Sequence, residues 1–422
     1  MGIYFNPDNA SFRQARNSMI YVDKTGLIRY LNTILSTENK CIAVSHARRF
    51  GKSHAAGMID AYYSLGCDSS ELFKDTRIAD ETKYPDYKKY MNQYNVIHLD
   101  IASFWDNYKD DLINKVTEYI YKDFKRIFGE ELDYNDSLNY NLMVIYEKTG
   151  IPFVIIIDEW DCVIRNSNDK ELVHNYLQFL HSLFKSEESK AFLALAYITG
   201  ILPIKKITDE SALNNFSEYT MLNSRPITQY YGFTEDEVRD LCKKFDMDFD
   251  STKAWYNGYL IDGIHMYNPN SVSMAMLRKY FDSYWKNTSS FASINTFITM
   301  NYAGLKDDVL AMLAGGKVIV ETEAFQNDLA EIHSKDDALT ALIHLGYLGY
   351  DADINSAYVP NYEVAKAFQT AIKQIKEKRY YGALSGYSEK VLLVGISYGP
   401  EGNDRKHHTC LIEEVLSADS KT

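Results

Sequence analysis

One stretch constrains this chain more than any other: Cys41-Ile-Ala-Val-Ser-His-Ala-Arg-Arg-Phe-Gly-Lys-Ser-His54. An apolar strand candidate, Cys41 to Val44, runs into a loop that ends Gly51-Lys52-Ser53, and a helix-compatible run, Ala55 to Tyr63, follows directly. Strand, glycine-containing loop, Gly-Lys-Ser and helix together are what a phosphate-cradling loop requires. Backbone N–H groups of such a loop and of the first helical turn point at an anion, and the helix dipole favours it. In that arrangement Lys52 reaches the β- and γ-phosphates of a nucleotide and the Ser53 hydroxyl ligates Mg²⁺. His46 stands where the usual motif begins with glycine, so strain is expected there if the position needs a left-handed backbone. Arg48 and Arg49 add positive charge beside the phosphates.

About a hundred residues on, Ile151-Pro-Phe-Val-Ile-Ile-Ile-Asp-Glu-Trp-Asp161 is an apolar run closed by acids. A run of this kind reads as a central parallel strand buried on both faces. Its carboxyl end is where α/β proteins place ligands. Asp158 is then expected to hold Mg²⁺ through water and Glu159 to polarise an attacking water. Lys190 to Thr199 is read as another buried strand, whose terminal Thr199 is the candidate γ-phosphate sensor. Tyr94 to Asp100 is a further strand ending in an acid, with loop capping the expected role of Asp100. Helical spacing runs over Gly26 to Leu35, Ile113 to Ile127, Leu138 to Tyr146 and Val173 to Phe184.

These alternations predict an α/β, three-layer P-loop NTPase core with a parallel sheet over residues 1–232. Thr234-Glu-Asp-Glu237 is a capping box that opens a helical lid, residues 233–299. Residues 300–368 read as a helix, Asp337 to Leu345, followed by a hairpin, which is the outline of a winged helix. The helix in the recognition position is not basic, so packing or partner binding is the expected role of that unit. Residues 369–422 end in a second hairpin, Val391 to Tyr398 and His407 to Ile412; His407 and His408 point to opposite faces and cannot share a metal.

Length allows sizeable cores: 422 residues, with a formal net charge of −13 and a pI near 5.3. The acidic balance argues against a globally basic nucleic-acid binder, leaving a local basic patch or a protein partner open. Five cysteines are scattered without a C-x-x-C pair, the pattern of free thiols rather than a zinc site. No apolar run is long enough to span a bilayer and the first residues lack a signal-peptide pattern, so a cytoplasmic location is expected.

Taken together, Tyr21-Val-Asp-Lys-Thr25, Arg48-Arg-Phe-Gly-Lys-Ser53, Ile157-Asp-Glu-Trp-Asp161, Asn214-Asn215, Gly232-Phe-Thr-Glu-Asp-Glu237, Trp255-Tyr-Asn-Gly-Tyr259, Tyr267-Asn-Pro-Asn-Ser271 and Tyr284-Trp-Lys-Asn-Thr288 resemble one family. It is the predicted AAA-ATPase-like family of anaerobic bacteria, usually fused to a C-terminal PD-(D/E)XK nuclease-like domain. The resemblance covers residues 1 to 370 in consistent order. It implies ATP as cofactor with Mg²⁺, an AAA-like core, a helical lid and a winged-helix-like unit. The nucleotide-contacting set it implies is Arg48, Arg49, Phe50, Gly51, Lys52, Ser53 and His54. Ser53 and Asp158 are the candidate metal ligands, and Glu159, Asp158, Thr199 and Arg225 the candidate catalytic group. Arg225 enters through its position before the lid. Where the family carries arginine and proline this chain has His46 and Ala47. The aspartate and Glu-x-Lys core of the nuclease domain is missing between Ile372 and Val391, so nuclease activity is not expected. An ATPase, or a nucleotide-binding switch with little turnover, are the two functions this leaves.

Overall fold

The computed structural model describes residues 2–129, 132–134, 136–204, 213–285, 304–326, 329, 332–377, 391–398 and 408–415. Five parallel strands form the central sheet: β1 (Cys41–Ser45), β2 (Asn95–Asp100), β3 (Phe153–Asp158), β4 (Leu193–Gly200) and β5 (Ser217–Thr220), in the order β2-β3-β4-β1-β5. β1, β3 and β4 are buried along their whole length. Continuous apolar runs are what strands covered on both faces require, since every side chain meets a helix.

One face, including Ile42, Val44, Val154, Ile156 and Tyr197, packs on the helix Lys52–Tyr63. The other, including Ala43, Ile155, Ile157 and Ile198, packs on the helices Leu112–Phe128, Leu138–Thr149 and Lys170–Lys185. The three-layer α/β core read from the sequence is therefore present. One boundary moves: residues Lys190 to Phe192 close the short helix Glu187–Phe192, because Ser186 caps it by accepting from the Ser189 amide, and β4 begins at Leu193.

Beyond the core the capping box forms as expected, with Thr234 accepting from the Glu237 amide and Glu237 accepting from the Thr234 amide. The following stretch is not purely helical. β6 (Phe233–Thr234), β7 (Tyr259–Ile261) and β8 (Ile264–Tyr267) form an antiparallel sheet in the order β6-β8-β7 among the helices Glu235–Phe245, Phe249–Tyr256 and Pro269–Arg278. Asp262 and Gly263, both left-handed at φ 54° and 81°, close the β7–β8 turn. That pair suits a tight hairpin because its backbone twist matches that of the strands.

Further along come the helix Leu305–Leu313, β9 (Val318–Ile319), the helix Lys335–His344, β10 (Gly349–Asp351), β11 (Ser356–Tyr358) and the helix Tyr362–Glu377. The strands form an antiparallel sheet in the order β10-β11-β9. Their apolar core contains Leu305, Val309, Leu339, Leu342, Tyr347, Val364 and Phe368, and it also contains Ala47 and Phe50 from the loop after β1. A last pair, β12 (Val391–Tyr398) and β13 (His408–Val415), is antiparallel with Tyr398 opposite His408. His407, residues 286–288 of the Tyr284 motif and residues 378–381 lie outside the described residues. No described helix is long and apolar enough to cross a membrane. Cys41, Cys67, Cys162 and Cys242 are free thiols.

Candidate nucleotide site

The loop after β1 turns sharply enough to aim its amides outward because Arg49 and Gly51 are left-handed, at φ 67° and 90°. Gly51 adopts this without a Cβ clash and caps the helix Lys52–Tyr63; at Arg49 it costs on the order of 1 kcal/mol. His46 carries no such strain, since it is not among the positive-φ residues. Its imidazole is fully buried instead, with Nε2 at 2.6 Å from Ser224 Oγ. The Ser224 hydroxyl donates to the Thr220 carbonyl, so Nε2 carries the proton and Nδ1 is a bare acceptor without a partner. Burial, then Lys52 and His344, push the His46 pKa down to about 3, which keeps the ring neutral. A histidine thus fits the glycine position by turning inward rather than by straining the backbone.

Lys52 is 5% exposed, not solvent-open. Its ammonium donates to the His46 carbonyl at 2.8 Å and the Ala47 carbonyl at 3.1 Å. Burial pulls its pKa below the ordinary lysine range, against the opposing pull of Glu159, Asp158 and Asp161. Ser53 and His54 lie exposed in the first turn, Arg48 is half-buried and Arg49 exposed, and the Phe50 side chain is in the core.

At the end of β3 the four residues Asp158-Glu-Trp-Asp161 take four different surroundings. The Asp158 carboxylate accepts from the Thr199 hydroxyl and, at 3.1 Å, from the Glu159 amide. Thr199 is fully buried, so it orients Asp158. Glu159 sits left-handed at φ 53°, a turn that lifts its side chain off the strand line toward the loop. Its carboxylate pairs with Arg165 Nη2 at 2.6 Å. Burial raises the Glu159 pKa, more than Lys52 lowers it. Asp161, 1% exposed, accepts from Arg165 Nε at 2.8 Å and from the amides of Ile201 and Leu202 at 3.0 and 2.9 Å. It ties the end of β3 to the loop after β4 and has a structural role. Arg165, four residues past Asp161, was not singled out in the sequence; its i,i+4 spacing on the helix Cys162–Asn166 was the available signal.

A cavity of about 740 Å³ opens over the loop. Arg48, Arg49, Phe50, Gly51, Lys52, Ser53 and His54 line it together with Glu159. Apolar lining comes from the N-terminal arm, with Phe12, Ile20, Tyr21 and Val22, and from Tyr230 and Phe233, beside the polar Ser18, Lys24, Asn270 and Ser273. The Tyr21 to Thr25 signature explains how the arm is held. Asp23 accepts from the Arg77 amide at 2.6 Å, and Lys24 donates to Glu237 at 2.6 Å and to the Gln229 carbonyl at 2.7 Å. Arg225 is not brought to the cavity. It is 75% exposed and donates to the Asp262 carbonyl at 3.1 Å. Asp100 caps the next helix by accepting from the Ser103 amide.

A cavity of this size, with apolar lining beside an amide-rich cationic loop, fits a nucleoside polyphosphate. Among the described residues no group of three or more His, Cys, Asp or Glu side chains converges as a metal cage. Ser53 lines the cavity, whereas Asp158, buried and bonded to Thr199, lies behind its lining.

Fold and site define a P-loop NTPase-type α/β protein. The family model described as Predicted AAA-ATPase matches residues 10–208, and that stretch is similar to the family. A curated relative, the "Uncharacterized protein in vnfD 5'region" of Azotobacter chroococcum mcd 1, is 23% identical over 276 residues, 64% of this chain and 51% of the relative. The match therefore spans about half of that relative's length. Among solved structures, the Aeropyrum pernix ORC2 protein in its ADPNP–ADP complexes aligns over 89% of this chain and 99% of its own, at 10% identity and a TM-score of 0.34. Cdc6p from Pyrobaculum aerophilum aligns over 88% and 99%, at 10% identity and a TM-score of 0.30. The fold assignment rests on the sheet and loop described above, not on these likenesses.

Proposed function

We propose that this chain is an Mg²⁺-dependent ATPase that couples hydrolysis to movement of the lid region and of the winged-helix-like unit, residues 300–368. The observation that carries it is the convergence on one cavity of Lys52, Ser53 and Glu159 with the apolar lining of the N-terminal arm. The loop amides and Lys52 hold the phosphates, Ser53 and Asp158 hold the metal, and the apolar lining takes the base. Bound Mg²⁺ supplies neutralisation of phosphate charge. Glu159 orients the attacking water once it is released from Arg165, and Thr199 keeps Asp158 turned to the metal.

One observation favours a second function, a switch that binds ATP with little turnover: the Glu159 carboxylate is engaged by Arg165 at 2.6 Å. Glu159→Gln separates the two. For an ATPase, turnover of radiolabelled ATP falls on the order of a hundredfold or more while affinity changes little. Wild-type turnover no higher than that of the variant, with ATP bound by both, leaves the switch. Neither function involves phosphodiester cleavage, and we expect no metal-dependent nicking of plasmid DNA.

A further inference from the structure

The loop that faces the cavity is also a buried part of another unit. Ala47 and Phe50, both fully buried, sit in one apolar cluster with Leu305, Leu342, Tyr347 and Phe368. Contact there is close: a Cβ added to Gly346 would stand 2.6 Å from Ala47 Cβ. The Gly346 carbonyl accepts from the Tyr259 hydroxyl at 2.8 Å, and the Tyr259 ring meets Phe50 edge-on at 5.2 Å. The backbone of the loop is held from the same side. The Gly232 amide donates to the Phe50 carbonyl at 2.9 Å, and Asn268 Nδ2 donates to the Arg48 carbonyl at 3.4 Å. Arg49 reaches the Tyr284 carbonyl at 3.4 Å, while the Tyr284 and Trp285 amides donate to Glu363 at 2.7 and 3.1 Å.

We propose that residues 305–372 sense whether the phosphate loop is occupied, through the core they share with Ala47 and Phe50. Phosphate can be held only while the loop amides keep one orientation, and beside Lys52 and the β4 end the groups that fix that orientation belong to residues 224–368. Ordering the loop with a ligand therefore orders the core around it, and loosening that core loosens the loop. Coupling of this kind is reciprocal by thermodynamic necessity. The inference rests on ATP occupying the cavity.

Hydrogen exchange on the full chain with and without Mg²⁺–ATP tests it. Slower exchange is expected at residues 48–58 and also at 335–372. Slower exchange at 48–58 alone overturns the sensor and leaves the nucleotide site standing. No change in either segment removes both. A second measurement uses Leu342→Ala, which thins the shared core without touching the cavity, beside Leu142→Ala, which thins the core on the opposite side of the sheet. ATP affinity is expected to fall on the order of tenfold in the first and by less than about twofold in the second. Equal affinities in the two variants overturn the proposal. Should Leu342→Ala fail to fold, Val364→Ala, a smaller deletion in the same core, takes its place with the same expectation.

Discussion

The phosphate loop and the acidic turn after β3 line one cavity but are built in opposite ways. The acidic turn is assembled within the sheet domain: Arg165 beside Glu159 and Asp161, Thr199 from the adjacent strand β4, and Ile201 and Leu202 from the loop after it. The loop takes its shape from Ser224, Asn268, Tyr284 and the core around Leu342, all more than 170 residues away. The acidic side of the site is thus a property of the sheet domain, and the loop side a property of the whole chain. A truncation after β5 would leave the first intact and the second without its supports.

The largest expected effect lies on the loop. Lys52→Ala removes the buried ammonium and leaves the His46 and Ala47 carbonyls without their donor. ATP affinity measured by calorimetry is expected to fall at least a hundredfold, which is about 3 kcal/mol. The orphaned carbonyls add a stability loss of about 1–3 kcal/mol, with the fold retained. Unchanged affinity in the folded variant would sink the loop assignment.

On the acidic turn the expected effect is on stability. Arg165→Ala leaves Asp161, 1% exposed, charged and without its cation. Breaking a buried pair from one side costs roughly 3 kcal/mol. Urea unfolding measures it, and the loss should fall on the sheet domain while exchange at residues 335–372 is unaltered. A loss below about 1 kcal/mol would mean that the Ile201 and Leu202 amides alone satisfy Asp161.

The same contrast explains what the sequence made legible. β1, β3 and β4 stand out as apolar runs because both faces of each are covered. Gly51-Lys-Ser53 and Asp158-Glu159 stand out because each ends such a run. Thr234 and Glu237 were readable because a capping box is local. The β7–β8 hairpin had its signal as well: Asp262-Gly263 between two short apolar segments is turn chemistry, obscured by the helical stretches around it. The inward turn of His46 and the packing of Ala47 and Phe50 had none. Each depends on side chains that arrive from the far end of the chain, and no local spacing encodes them. Arg225 is the converse case: its neighbour Ser224 reaches the loop, but its own side chain turns to Asp262 instead of the cavity, which position along the chain does not encode.

The smallest expected effect tests the distant support of the loop through its own titration. Glu363 is 2% exposed and stands among the Tyr284 and Trp285 amides, Ser271 and, more distantly, Arg49. Burial raises its pKa to about 7 despite those donors, from an ordinary value of 4.5. Between these two values the folded state binds more protons than the unfolded one, so stability falls as pH rises. The stabilisation is complete below pH 4.5 and gone above about 7. Glu363→Gln keeps an acceptor for both amides and removes the titration. Relative to the variant, the wild type should lose on the order of 2 kcal/mol between pH 5 and pH 8, read from urea midpoints at several pH values. A difference that stays flat across that range would mean the carboxylate is ionised throughout in the folded chain. The longer-range attraction of Arg49 for an ionised Glu363 would then add to the packing that supports the phosphate loop from the far end of the chain.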